Sequence, residues 1–474
     1  MLGLSRQIWA FWPIFLKINQ QRTSVSKRPL VPQTERQLPT AAIIGLRLRR
    51  ISKLRSRCLH FVLPWIFSIL LLKSPLSDSF APILLLHVCA GDSSPSSLPF
   101  PNQKAKYHRE LEAAVDIVQR ACRLCVDVKS SLFSAGGRIL EKNDQTPVTV
   151  ADFGVQALVS LELGKIFPSI PLVAEEDSAF LRSNNLVDSV VNAVTHKANI
   201  GDEPLTNADV LEAIDRGAQN DFATGSKPAT YWVLDPIDGT KGFLKGNEAL
   251  YVVGLAFIVE GEIVLGVMGC PNWQEDVPCK SNAEDKGSET ILSSSGIIMV
   301  AHVGCGTWMK RLAVMMGRSA KLPEYWTRCL VDKCQLVHKA RFCIPESQTW
   351  ASMPLSASLN ERNDASSTGD REILLLSTCC GSLCKYLMVA SGKASVFILR
   401  VRSQTLVKAW DHAVGIICVH EAGGKVTDWR GSELDFAADQ VERRIIFPSG
   451  GVLVTNGNIH SQIMDMISSV STIN

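Results

Sequence analysis

Two carboxylates stand three positions apart at the end of a buried apolar run, in Tyr231-Trp232-Val233-Leu234-Asp235-Pro236-Ile237-Asp238-Gly239-Thr240. Few backbones tolerate that. Tyr231 to Leu234 reads as a short strand that runs straight into the acidic loop. Pro236 fixes φ between the two acids, and Gly239 permits a tight exit. Both carboxylates, and a backbone carbonyl between them, can then face one point. Two such charges ~4 Å apart repel by about 4 kcal/mol at an effective dielectric of 20, a cost that a divalent cation turns into binding. Hard oxygen donors of this kind suit Mg²⁺, which retains waters and engages phosphate oxygens.

Further acids stand where local structure changes. Asp152 closes the extended piece PVTVAD before a helix from about Phe153 to Ile166. Glu175 follows a short strand, Pro171 to Ala174, and Asp411 lies at the start of a helix running from Trp410 to Glu421. A helix cap explains Asp152 or Asp411 alone as well as a site does. Around them, Leu111, Val115, Val118, Cys122 and Val126 recur at helical spacing. Helical patterns cover about 180–194 and 206–217, the second capped in Thr206-Asn207-Ala208-Asp209. Tyr251 to Val259 and Ile263 to Met268 predict a hairpin about Glu260-Gly261, and Gly296 to Val303 predicts a further strand. Residues 271–294 are polar and read as a surface excursion. From Leu374 strands alternate with helices, which predicts an α/β half after an antiparallel-sheet half. The folded domains are expected at 104–325 and 326–474.

Charge divides the chain differently. Residues 1–100 hold thirteen Lys and Arg against three acids, whereas the rest carries 36 basic and 43 acidic side chains. A basic, Ser-containing leader with almost no acids fits a transit peptide to the mitochondrion, with the plastid as the alternative; a basic tail is the plainer reading. The apolar run Leu59 to Leu72 is short for a bilayer span and is interrupted by Pro64, so membrane contact is not expected. The Ser- and Pro-rich segment Asp92 to Asn102 is a linker, placing leader and linker at 1–103. Fourteen cysteines in so long a chain are not a disulfide scaffold and are expected to be mostly reduced and buried. Cys122 and Cys125, three apart on a helix, could also form a redox pair. No G-x-x-x-x-G-K-[ST] loop or G-x-S-x-G elbow is present. An acidic body without a basic, aromatic stripe argues against nucleic acid as a partner.

WVLDPIDGTKGFLK (Trp232 to Lys245) and WDHAVGIICVHEAGGKVTD (Trp410 to Asp428) resemble the two signatures of the inositol monophosphatase superfamily. PVTVADFGVQA, LVAEED and the Lys-Gly-Phe of the loop resemble its 3′(2′),5′-bisphosphate nucleotidases. The resemblance spans most of 107–474, thins between 271 and 370, and does not reach the first hundred residues. It implies a sugar-phosphatase-like, layered αβαβα fold, with an α+β domain and an α/β domain meeting at a metal cleft. It implies that Glu175, Asp235 and the Ile237 carbonyl hold one Mg²⁺, and Asp235, Asp238 and Asp411 a second, with a third ion held more weakly near Glu175. Asp152 and Thr240 would orient and deprotonate the attacking water. Gly239, Thr240, Asp411, Ser382, Lys385 and Arg400 would contact the substrate, a small nucleotide bisphosphate, in a monomeric, lithium-sensitive enzyme.

The activity so implied is hydrolysis of the 3′-phosphate of adenosine 3′,5′-bisphosphate, with its sulfated analogue as a further substrate. An inositol phosphate phosphatase and a silent nucleotide-binding regulator stay open beside it. Two departures bear on the base. Ser391 stands where related nucleotidases often carry Arg, and nothing in 335–370 matches their base-contacting segment.

Overall fold

The computed structural model describes residues 98–101, 104–135, 140–141, 147–195, 205–218, 230–245, 249–274, 296–312, 325–356, 358–359, 374–376, 380–402 and 404–471. The leader, the run Leu59 to Leu72, and most of the linker and of the polar excursion lie outside them. From the amino end, helix α1 (His108–Ala135) precedes a small ribbon, β1 (Leu140–Glu141) with β2 (Pro147–Val148), and then α2 (Val150–Ile166). Next come β3 (Leu172–Ala174), α3 (Ala179–Asn184), α4 (Val187–Thr195), α5 (Asn207–Ala218), β4 (Tyr231–Asp238) and α6 (Thr240–Leu244). β5 (Val252–Val259), β6 (Glu262–Cys270), β7 (Ile297–His302), β8 (Gly306–Arg311) and β9 (Thr327–Cys329) complete a seven-stranded sheet in the order β3-β4-β5-β6-β7-β8-β9. Only its β3–β4 pair is parallel.

The remainder forms a second sheet. β10 (Arg341–Cys343), β11 (Leu374–Leu375), α7 (Leu383–Ala390), β12 (Val396–Arg400), β13 (Val407–Lys408), α8 (Ala413–Glu421), β14 (Lys425–Asp428), β15 (Ile445–Ile446), β16 (Gly451–Thr455) and α9 (His460–Ser471) follow in turn. The sheet order is β11-β10-β12-β16-β14, and β13 pairs with β15 apart from it. Its strands are mixed: β10 is parallel to β11 and β12, whereas β16 is antiparallel to β12 and β14.

Period-two alternation makes the layers. Along β5, Val253, Leu255 and Phe257 face α1 and α2, while Val252, Ala256 and Ile258 face α7 and α8. A sheet apolar on both faces must be covered on both. The second sheet repeats this: Phe397 and Val454 join α7 and α8, and Val396, Ile398 and Leu453 pack on Ile463 and Ile467 of α9. The result is the expected αβαβα stack.

Two local outcomes differ from the sequence pattern. The stretch at 180–194 is two helices, because Asn185 takes the left-handed conformation at φ 55° and ends α3. β4 does not stop at Leu234 but runs on through the acidic motif. The buried cysteines Cys122, Cys125, Cys270, Cys329, Cys343, Cys384 and Cys418 are free; Cys380 is disulfide-bonded. Burial pushes the Cys122 and Cys125 thiols upward, which disfavours the reactive thiolate.

α8 lies close on the large sheet because Gly254 and Gly266 leave room. A Cβ at Gly266 would meet Ile417 and Val414, and one at Gly254 would meet Leu383 and Val414. Gly266→Ala should therefore lower stability by about 1–3 kcal/mol through overpacking, read from the urea unfolding midpoint.

Candidate active site

A strand alternates its side chains, so residues three apart should point to opposite faces. Asp235 and Asp238 avoid this through a bulge. Asp235 pairs with Gly254 and Asp238 with Val252, so three steps on β4 match two on β5. The extra residue returns both carboxylates to one side. Asp411, in the turn before α8, completes a group whose oxygens can all lie within 4.8 Å of one another.

The electrostatics of this group are unfavourable without a cation. Asp235 is 2% exposed, and its Oδ1 has no hydrogen-bond partner. Burial, then the charges of Asp238, Glu175, Asp411 and Asp152, hold the Asp235 carboxyl well above the usual range. Burial, Asp238 and Glu175 do the same to Asp411, although a hydrogen bond with Asp235 opposes the rise. An orphaned anionic oxygen amid buried carboxylates is costly. A hard divalent cation is what this donor set fits.

Asp238 is the anchored member. Its Oδ1 accepts the Ser382 N–H at 2.9 Å; its Oδ2 accepts those of Leu383 at 2.7 Å and Cys384 at 3.4 Å. The first turn of α7 thus closes on a carboxylate from the other sheet. Burial still pushes Asp238 up to about 6, with Lys385 and these amides pulling it down. Gly381, at φ +71°, keeps the approach open; a Cβ there would strike the Asp238 carboxylate.

Asp152 serves two partners. Its Oδ2 accepts from Thr149 N at 2.8 Å and Thr149 Oγ1 at 2.7 Å, closing the capping box of α2. Its Oδ1 lies 3.1 Å from Thr240 Oγ1, which is also 3.2 Å from the Ile237 carbonyl. Asp152 is buried behind the cleft and reaches it through Thr240. The other expected residues, Glu175, Asp235, Ile237, Asp238, Gly239, Thr240, Ser382, Lys385, Arg400 and Asp411, all line one cleft of about 520 Å³. Glu175 lies outside the tight three-carboxylate group.

Two of the cations there are already engaged. Lys385, 2% exposed, donates from Nζ to the Gly381 carbonyl at 2.6 Å. Arg400 donates from Nη1 to the Ser352 carbonyl at 2.9 Å, and Gln348 clasps its backbone at 2.7 and 3.0 Å. His412 is buried, shares a 2.8 Å hydrogen bond with Tyr386, and is pushed down to about 3 by burial, hence neutral.

Three positioning residues have no role readable from the sequence, although Gln156 lies within PVTVADFGVQA. Gln156 accepts from Glu176 N at 2.9 Å and donates to the Glu176 and Ile214 carbonyls, fixing the turn that carries Glu175. Arg444 donates to the Glu175 carbonyl at 3.2 Å and lies 4.8 Å from the Trp410 ring centroid. Gln348 ties the segment Pro345 to Gln348 onto the cleft wall. Their partners are remote in sequence, so no local pattern marks them.

A layered fold with a carboxylate cleft between its sheets is the arrangement of a metal-dependent phosphoester-handling protein. Residues 106–471 match the inositol monophosphatase family, and the chain belongs to it. It is 64% identical over 376 residues to an Arabidopsis thaliana protein that carries the name of a mitochondrial 3′(2′),5′-bisphosphate nucleotidase, covering 79% of this chain and 91% of that one. A 3′,5′-bisphosphate nucleotidase of the same plant is 36% identical over 367 residues, 73% of this chain and 93% of its own. A Candida albicans 3′(2′),5′-bisphosphate nucleotidase is 31% identical over 380 residues, 77% and 96% of the two chains.

Removing one buried charge should relieve the repulsion. Asp235→Asn is expected to raise the melting temperature of the metal-free chain and to abolish its further rise on adding Mg²⁺. Differential scanning fluorimetry with chelator and with Mg²⁺ reads both; an undiminished Mg²⁺ response would remove Asp235 from the metal site.

Proposed function

We propose that this chain hydrolyses the 3′-phosphate of adenosine 3′,5′-bisphosphate, releasing AMP and inorganic phosphate, and accepts the sulfated analogue likewise. The observation that carries the reading is the buried Asp235, Asp238 and Asp411 cluster with its orphaned Asp235 oxygen. The names of the relatives supply the substrate. Asp235, Asp238 and Asp411 would hold one Mg²⁺, and Glu175, Asp235 and the Ile237 carbonyl another, with a weaker third near Glu175. Bound there, the cations supply a water of lowered pKa and neutralise charge on the phosphoryl oxygens.

The chain's own part is proton handling and placement. Thr149 engages Oδ2 of Asp152, and Oδ1 faces the Thr240 hydroxyl at 3.1 Å. The Thr240 oxygen, having donated inward, can accept a proton from a water on the cleft side. Asp152 is then the base that the Thr240 hydroxyl relays to. Ser382, Lys385 and Arg400 shape the wall against which the rest of the substrate lies, and Gly239 admits the phosphate close to the backbone. The chain acts as a monomer, with domains at 104–325 and 326–474; β9, just past that boundary, completes the larger sheet. Residues 1–103 direct it to the mitochondrion, the location in the name of the Arabidopsis relative.

Phosphate release from adenosine 3′,5′-bisphosphate, measured beside inositol 1-phosphate with Mg²⁺, tests the substrate. The nucleotide should show the higher kcat/KM; preference for inositol phosphate, or no turnover at any Mg²⁺ level, refutes the reading. Li⁺ should inhibit by taking one cation position. Asp152→Asn should lower kcat about 10²–10⁴-fold with little change in KM. An Asn side-chain oxygen can still accept from Thr149, so the urea midpoint should hardly move. A parallel loss of stability would make Asp152 a cap alone.

A further inference from the structure

His412 follows Asp411 directly, at the turn into α8. It is 1% exposed, yet it lines the carboxylate cleft. Its Nδ1 lies 2.8 Å from the Tyr386 hydroxyl, and the two rings cross at 81° with centroids 5.7 Å apart. Tyr386 is itself fully buried on α7. Gly415, three residues along α8, leaves room for the tyrosine ring, because a Cβ there would strike it. Phe397 packs on the same ring with centroids 5.4 Å apart. The hydroxyl that meets His412 is thus fixed from two elements.

That packing decides which nitrogen carries the proton. In a neutral imidazole one nitrogen donates and the other accepts. Among the described residues the Tyr386 hydroxyl has no other hydrogen-bond partner. If Nδ1 kept the proton, the hydroxyl would only accept, and its own proton would be buried unpaired, which is unfavourable. With the hydroxyl donating to Nδ1, both groups are satisfied and the proton sits on Nε2. Nε2 has no partner among the described residues and is not sealed from solvent, so it is the nitrogen that meets the cleft. Neither nitrogen belongs to the tight group of Asp235, Asp238 and Asp411, and a protonated Nε2 cannot ligate a cation.

We propose that His412 is a catalytic hydrogen-bond donor: its Nε2–H, held in that tautomer by Tyr386, binds an oxygen of the phosphoryl group being transferred. A phosphoryl group drawn to the carboxylate-held cations lies beside the residue next to Asp411. Donors aimed at its oxygens stabilise the charge that shifts during transfer. A neutral donor suits this place. A lysine or arginine there would pair with the carboxylates and compete with the cation, whereas an imidazole N–H adds a donor without adding charge. In the opposite tautomer a lone pair would face the phosphoryl oxygens. The inference rests on the cleft's hydrolysis of a phosphoester and holds for whichever phosphoester the chain takes.

Nitrogen NMR of the full chain, isotope-labelled at histidine and kept in chelator, reads the tautomer directly. The signal lost in His412→Gln identifies the residue. Nε2 should carry the proton, and Tyr386→Phe should populate both tautomers. Inorganic phosphate added with Mg²⁺ should shift the His412 Nε2–H resonance, a readout that needs no turnover. His412→Leu should lower kcat about 10²-fold with KM within about twofold, as loss of one donor to a shifting charge requires. His412→Gln can set an amide N–H near the Nε2 position and should recover most of that loss. The Mg²⁺ level giving half the maximal rate should be the same in both variants. A proton on Nδ1, a resonance indifferent to phosphate, or a glutamine variant as slow as the leucine one overturns the proposal. A parent chain inert towards the nucleotide but active on inositol 1-phosphate overturns the nucleotidase reading alone, and the variants are then ranked on inositol 1-phosphate.

Discussion

Asp238 is held from both sheets at once. Its backbone belongs to β4 of the larger sheet, and its carboxylate receives three amide protons from the start of α7, which packs against the smaller one. The amides and the helix N-terminus favour the charged form. Burial outweighs them and pushes the carboxyl up to about 6. The joint between the layers is therefore complete in geometry and incomplete in charge.

That imbalance distinguishes this group from an ordinary buried ion network. Two acids elsewhere are paired directly with arginine. Arg120 meets Glu162 at 2.9 Å, and Asp332 collects Arg341, Ser395, Asn456 and an amide. Around Asp235 and Asp411 the nearest groups are more carboxylates. Cations stand close by but turn elsewhere: Lys385 to the Gly381 carbonyl, Arg444 to the Glu175 carbonyl. A direct Arg pair at Asp235 would occupy the oxygens that the cluster leaves open. Backbone amides anchor Asp238, while Asp235 and Asp411 face each other in an arrangement that suits a mobile cation.

The legible part of this design is its short-range part. The acidic motif, the buried strands and the helix at Ala413 follow from alternation, proline and glycine, which act within a few residues. The bulge in β4 is not legible, because it exists only relative to the register of β5. The break at Asn185 depends on one residue accepting a left-handed conformation within an otherwise helical pattern. Lys385 and Arg400 are found at the cleft, but their engagement with Gly381 and Ser352 depends on folded neighbours. Gln156, Gln348 and Arg444 are silent for the same reason: a side-chain amide or guanidinium reads identically whether it meets water or a carbonyl 50 or more residues away.

Asp152 shows why cap and catalyst are a poor pair of alternatives. A carboxylate has two oxygens, and here they point to different tasks. Oδ2 closes the first turn of α2 with Thr149, which fixes the side chain's torsions at a helix end that is itself buried. Oδ1 is then delivered to Thr240 without further ordering of the side chain. Orienting a freely rotating acid would carry an entropic penalty at the reacting position. The cap removes it beforehand, as part of folding α2. A carboxylate at the third helical position is thus suited to the proposed relay because it is already a cap.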